Sequence, residues 1–236
     1  MKKKREWIGL LFLLPSFAGV AVFILIPFVD VLRRSFVDVV GMRFVGLQNY
    51  RMVFTNSAFL LAAGNTAKFT VICIPLLLLI SLLVAALLQR QKRTGQIIKS
   101  MCLVPMAIPV ASVVLIWKLL FHKSGLINSM IAEFGIAGPD WMNTDAAFWV
   151  LVVSYLWKNL GYDIVLWLAG LAGISENIYE AARVDGAGDW LIFRKITLPN
   201  LLPSLYTISV LSLLNSFKVF REAYLVGGDY PQKSMY

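Results

Sequence analysis

The chain has 236 residues, of which 59% are hydrophobic and 15% charged, with a formal net charge of +9 and a mean hydropathy of +0.75. That balance excludes an ordinary soluble domain, and long apolar runs, where a barrel would alternate, exclude a transmembrane β-barrel in favour of helical spans of about 20 residues. The basic residues cluster at the ends of these runs, as the positive-inside rule requires, which argues against nucleic-acid binding; Cys73 and Cys102 fall at opposite predicted faces and His122 has no ligand partners at suitable spacing, which argues against a disulfide and a metal site.

Lys2, Lys3, Lys4 and Arg5 precede a first predicted span at residues 8–29, interrupted by Pro15 and Pro27. The run is longer than the apolar core of a signal peptide and lacks a cleavage site, so an uncleaved span with a cytoplasmic N-terminus is expected. Residues 30–67 read as an external segment, although Arg33, Arg34, Arg43 and Arg51 run against the charge rule. The segment contains Gly46-Leu47-Gln48-Asn49-Tyr50. A second span is predicted at residues 68–88, and the short link after it, with Arg90, Lys92, Arg93 and Lys99, reads as cytoplasmic. The third span, residues 101–121, carries Pro105 and Pro109 in its first turns, and residues 123–145 form a glycine-containing external loop.

The fourth predicted span, residues 146–171, contains Lys158, Asn159 and Asp163. Ionisable groups at membrane depth mark either a pathway or an interhelical polar contact. Lys158 and Asp163 lie about 140° apart around a helix, too far to pair on the same straight helix. The fifth span, residues 204–226, has Ser209, Ser212 and Asn215 at three-residue intervals, a stripe that suits either a cavity lining or helix–helix contacts. Lys218, Arg221 and Glu222 suggest a wet outer vestibule, followed by Gly227-Gly228-Asp229-Tyr230-Pro231.

Between these two spans lies the one long polar interruption, EAARVDGAGDWLIFRKITLP from Glu180 to Pro199. A short helix over residues 179–184 is predicted to end at Asp185 and Gly186, where the lack of a Cβ eases a turn. A second is predicted to start with Asp189 as N-cap and to present Trp190, Phe193 and Ile196 on one apolar face. The spacing of Glu180-Ala181-Ala182, Gly186, Ile196 and Leu198-Pro199 resembles the EAA loop of binding-protein-dependent ABC-transporter permeases. The Gly46–Tyr50 stretch resembles the GLxNY segment of the sugar class, and Gly227-Gly228 the turn that follows the fifth span there.

That resemblance implies an all-α polytopic membrane protein with the type I ABC importer permease fold, over residues 1–236 as a single domain, in a prokaryotic plasma (inner) membrane. Five spans are expected here and a sixth is expected beyond Tyr236, so the sequence reads as truncated. Residues 175–203 would form a cytoplasmic coupling loop, with Glu180, Ala181, Ala182, Asp185, Gly186, Ile196, Leu198 and Pro199 contacting an ATPase. The implied partners are a second permease subunit, two cytoplasmic ATPase subunits, an external solute-binding protein and the surrounding lipid. No phosphate-binding loop GxxxxGK[ST] occurs in the chain, so ATP and magnesium would be used by the partner and no cofactor or enzymatic site is expected. The Leu160-Gly161-Tyr162 run resembles the sugar-lining helix of maltose-type permeases, which implies a substrate path at Leu160, Gly161, Ile164 and Asn215; close helix packing is the competing role for Gly161. The alternatives are a permease for glycerol phosphate or an amino acid, and a secondary transporter using Asp163. A membrane enzyme lacks a convergent catalytic set.

Overall fold

The computed structural model describes residues 2–38, 40–89, 95–219, 223, 224 and 233. Outside them lie Arg90, Lys92, Arg93, the end of the predicted fifth span with Arg221 and Glu222, and the Gly227–Pro231 turn, as do the side chains of Lys2 to Arg5. Helix is the only regular structure among the described residues apart from an isolated antiparallel bridge between Val37 and Phe44. The chain divides into units of residues 1–60 and 61–236.

In the first unit, α1 (Lys2–Val20) passes through a π-helical turn, Ala21–Leu25, into α2 (Ile26–Arg34). Pro27 in the first turn of α2 has no N–H to donate and its ring crowds the preceding turn. The wider π turn ahead of it absorbs the mismatch, with the Ile26 N–H bonding back to the Ala21 carbonyl. Beyond α2, the chain doubles back through the Val37–Phe44 bridge into α3 (Gln48–Thr55). The Gly46–Tyr50 stretch explains itself here. Asn49 donates to the Ser35 and Val37 carbonyls at 2.9 and 3.0 Å, while the Tyr50 and Ser35 hydroxyls share a bond of 2.7 Å. One amide and one phenol thus fasten α3 to the returning chain.

The second unit is organised on α4 (Ser57–Gln89) and α8 (Ala147–Ala172). Helix α4 begins eleven residues before the predicted start at Lys68, because residues 57–67 continue the helix beyond the most apolar part of the run. Phe69, Cys73, Leu77, Ser81 and Ala85 recur every fourth position and are buried, whereas Val71, Leu79, Leu83 and Leu87 face outward. A helix apolar all round but buried on one stripe suits protein on one side and lipid on the other. The predicted third span is not one straight helix. It breaks into α5 (Gly95–Ala107) and α6 (Val110–Leu120), bent by 96°. Pro109 cannot donate and disfavours helical geometry at Ile108, so the break falls there.

The predicted loop after α6 contains a further helix, α7 (Leu126–Glu133), held by Asn128. Its buried amide donates to the Lys123 and Pro139 carbonyls and accepts from the Trp141 indole at 2.6 Å. At the loop's tip, hydrogen bonds from Asn143 hold the Asp140 carboxyl below the usual carboxylate range. His122 is exposed and its Nδ1 accepts from the Ser124 amide, and both cysteines are free thiols. Among the described residues two helical stretches are long and apolar enough to cross a membrane, or four if each sharply bent pair counts as one. Helix α8, with 26 residues and therefore about 39 Å long, buries Ser154, Tyr155, Asp163 and Trp167 and leaves Lys158, Asn159 and Tyr162 half-buried.

Asn49→Ala removes two hydrogen bonds worth about 1 kcal/mol each. Amide exchange over residues 35–45 should accelerate several-fold in detergent-solubilised protein; unchanged exchange would contradict the clasp.

Candidate functional site

The polar interruption folds into α9 (Glu176–Val184), a turn through Asp185 and Gly186, α10 (Asp189–Ile192), a π turn at Phe193–Thr197, α11 (Leu198–Asn200) and then α12 (Leu202–Ser216). Gly186 adopts φ +79°, the left-handed region where a Cβ is strained, and its amide bonds to the Arg183 carbonyl. The N-cap of α10 is Gly188 and not Asp189, which already lies in the helix. The predicted apolar face is also redrawn. Trp190 stands 73% exposed, stacked on Phe193 at 6.0 Å, while Ile192 and Thr197 are the buried positions. The π turn changes the residues per turn, so a spacing read at three cannot hold through it. As at Pro27, the π turn lies just ahead of a proline, here Pro199, and the Leu198 N–H bonds back to the Phe193 carbonyl.

Glu180, Ala181, Asp185, Gly186, Leu198 and Pro199 are exposed, and Ala182 and Ile196 are half-buried. The elbow therefore presents its pattern residues outward, with Val184, Trp190 and Leu191 at 88%, 73% and 50% exposure. Its two arms are joined inside, where the Tyr179 and Thr197 hydroxyls share a bond of 3.1 Å.

Behind the elbow runs a seam of buried and half-buried hydrogen bonds between helices. The Trp167 indole on α8 donates to Ser81 on α4 at 2.9 Å. Ser212 on α12 donates to the Asp163 carboxyl on α8 at 3.2 Å, and the Tyr155 hydroxyl donates to the Ser212 carbonyl at 2.9 Å. Thr70 on α4 and Ser216 on α12 share a bond of 3.2 Å. Of the predicted stripe, Ser212 is a helix–helix contact, with Ser209 and Asn215 half-buried. Sequence reasoning missed Tyr155, Trp167, Ser81 and Thr70; a phenol and an indole in the middle of an apolar helix are the signal that each needs a partner.

The residues assigned to a substrate path mostly pack. Gly161 lies against α5, and a Cβ there would collide with the Cys102 carbonyl, so the space assigned to a solute ring is occupied by backbone. Ile164 is fully buried, and Leu160 packs against the apolar clusters at both ends of α8. Asn215 and Lys158 are half-buried.

Residues 77–234 match the family described as the binding-protein-dependent transport system inner membrane component. The chain belongs to this family. It is thus a multi-pass membrane permease of the ABC transporter class. Among its relatives is the trehalose/maltose transport system permease protein of Thermococcus litoralis, 30% identical over 237 residues that cover 98% of this chain and 80% of that protein. Another is the sn-glycerol-3-phosphate transport system permease protein of Escherichia coli O6:K15:H31, 32% identical over 219 residues, 91% and 74% of the two chains. The fold is similar to that of a chain in the crystal structure of a bacterial ABC transporter involved in the import of the acidic polysaccharide alginate, with a TM-score of 0.84 at 23% identity over 98% of this permease and 80% of that chain.

Two glycine substitutions separate packing from turn geometry. Gly161→Ala should lower the detergent unfolding temperature clearly, by the ~3 kcal/mol at the upper end of overpacking costs, because the added methyl meets backbone that cannot turn aside. Gly186→Ala, with nothing within 4 Å of the added methyl, should cost about 1 kcal/mol of backbone strain. An equal response to both would contradict the close crossing at Cys102.

Proposed function

We propose that this permease is the transmembrane subunit of an ATP-driven, binding-protein-dependent importer of a sugar or oligosaccharide, coupled to a separate ATPase through the α9–α10 elbow. The observation that carries the coupling is the elbow's outer surface. A solvated loop has no use for Val184, Trp190 and Leu191 held open beside Glu180, Ala181 and Asp185. An apolar and aromatic patch rimmed with charge is the composition of a docking surface. Ala181 permits close approach, Glu180 offers a charge, and Gly186 sets the angle between the two short helices.

The solute class draws support from the named relatives, one a trehalose/maltose permease and one a glycerol-3-phosphate permease. In this reading Leu160 and Asn215 border the path, and Gly161 and Ile164 act behind them by holding α8 against α5. The complex would contain a second permease chain, two ATPase subunits that use ATP and magnesium, and an external solute-binding protein. The N-terminus and the elbow would share the cytoplasmic side.

The test is co-expression with the neighbouring transport genes and purification in detergent. The wild-type permease should retain an ATPase subunit, and Val184→Asp or Gly186→Trp should lose at least about ten-fold of that retention, as expected for truncating or blocking a central contact worth ~2 kcal/mol. Retention of the ATPase by both variants would move the docking surface elsewhere. Uptake by the reconstituted complex of maltose or trehalose, in preference to glycerol 3-phosphate, would support the sugar assignment; the reverse preference would replace it.

A further inference from the structure

A docked elbow can drive transport only if its motion reaches the membrane helices undiminished. A three-residue α11, a π turn and a 63° bend between residues 189–200 and 202–216 would each let it flex. Hydrogen bonds and one buried leucine bridge these weak points. Tyr179, just ahead of the Glu180-Ala181-Ala182 pattern, is joined to Thr197 in the π turn, so α9 and the chain leading to α12 are tied across the elbow's base. Leu201, at the bend, is fully buried in the cluster that contains Trp167 and Leu171 of α8. Further along, Asp163 and Ser212 join α8 to α12, both at 2% exposure, and the Tyr155 hydroxyl reinforces the same turn of α12.

We propose that Tyr179 and Asp163 are positioning residues that make the elbow, α8 and α12 a single lever, Tyr179 by closing its base and Asp163 by locking its two arms near the solute path. This rests on the coupling function proposed above. The buried carboxyl of Asp163 is thereby given a mechanical role in place of the ion-coupling role of a secondary transporter. Its bond links a side chain of α8 directly to a side chain of α12. Loss of either bond should leave ATP hydrolysis possible while the membrane helices follow it less faithfully.

The measurement is solute transported per ATP hydrolysed, in proteoliposomes holding the whole complex with its ATPase and binding protein. Tyr179→Phe and Asp163→Leu should each lower this ratio about three-fold, the factor expected for one hydrogen bond in a membrane protein. Asp163→Asn, which retains an acceptor for Ser212, should keep it near the wild-type value. Should Asp163→Leu fail to assemble, Ser212→Ala removes the same bond at nearly constant volume and should give the same fall. A ratio unchanged in the assembled variants, or transport and hydrolysis falling in parallel, would overturn the lever. A fall in Asp163→Asn as large as in Asp163→Leu would overturn the hydrogen-bond role and return the carboxylate charge to consideration. A wild-type permease that binds no ATPase would instead overturn the coupling function on which the lever rests.

Discussion

Helices made of Leu, Val and Ile have no hydrophobic reason to prefer one register over another inside a bilayer, because lipid tails are as apolar as their partners. What fixes the arrangement of α4, α8 and α12 is the small set of polar groups they cannot leave unpaired. Trp167 finds Ser81, Asp163 finds Ser212, Tyr155 finds the Ser212 carbonyl, and Thr70 finds Ser216. Each such bond contributes about 0.6 kcal/mol on average in membrane proteins. Their value is specificity: sliding α8 by one turn would break all those it makes together.

Small residues supply the second half of the specification. Gly161 lets α8 approach the α5 backbone at Cys102 more closely than any side chain permits. Close backbone approach gains dispersion contacts where hydrophobic driving force is absent. Three of the prolines act in the opposite direction, each standing where regular α-helix is interrupted, whereas Pro15, Pro75 and Pro105 lie inside continuous helices. Pro109 turns α5 into α6, and Pro27 and Pro199 each follow a π turn that relaxes the helix ahead of them.

Much of this was legible in the sequence, for identifiable reasons. Apolar runs of span length announced the helices, and the fixed spacing from Glu180 to Pro199 announced the family, because so many residue types at set positions rarely coincide by chance. The Gly46–Tyr50 stretch was recognised without a mechanism; Asn49 and Tyr50 supply one. The departures have separate causes. Trp190, Phe193 and Ile196 were assigned one face on a regular helical period, and the π turn at Phe193–Thr197 broke that period. Residues 101–121 were read as one span on hydropathy, which does not register direction, and Pro109 bends them by 96°. Gly161 left two roles open, room for a solute ring or close helix packing, because a missing side chain looks the same in sequence whether a ligand or a backbone fills the gap; the Cys102 backbone fills it.

The central claim is that the elbow and its two flanking helices move as one body when the ATPase closes. Spin labels at Asn177→Cys on α9 and Tyr206→Cys on α12, in a chain with Cys73 and Cys102 replaced by alanine, would report this directly through the distance between them in the assembled complex. Both positions are exposed, and Asn177 lies outside the docking patch. The expected result is the same distance distribution with and without ATP, while labels on the two permease chains shift relative to each other. An Asn177–Tyr206 distance that changes on ATP binding would contradict it, and would make the π turn at Phe193–Thr197 a hinge.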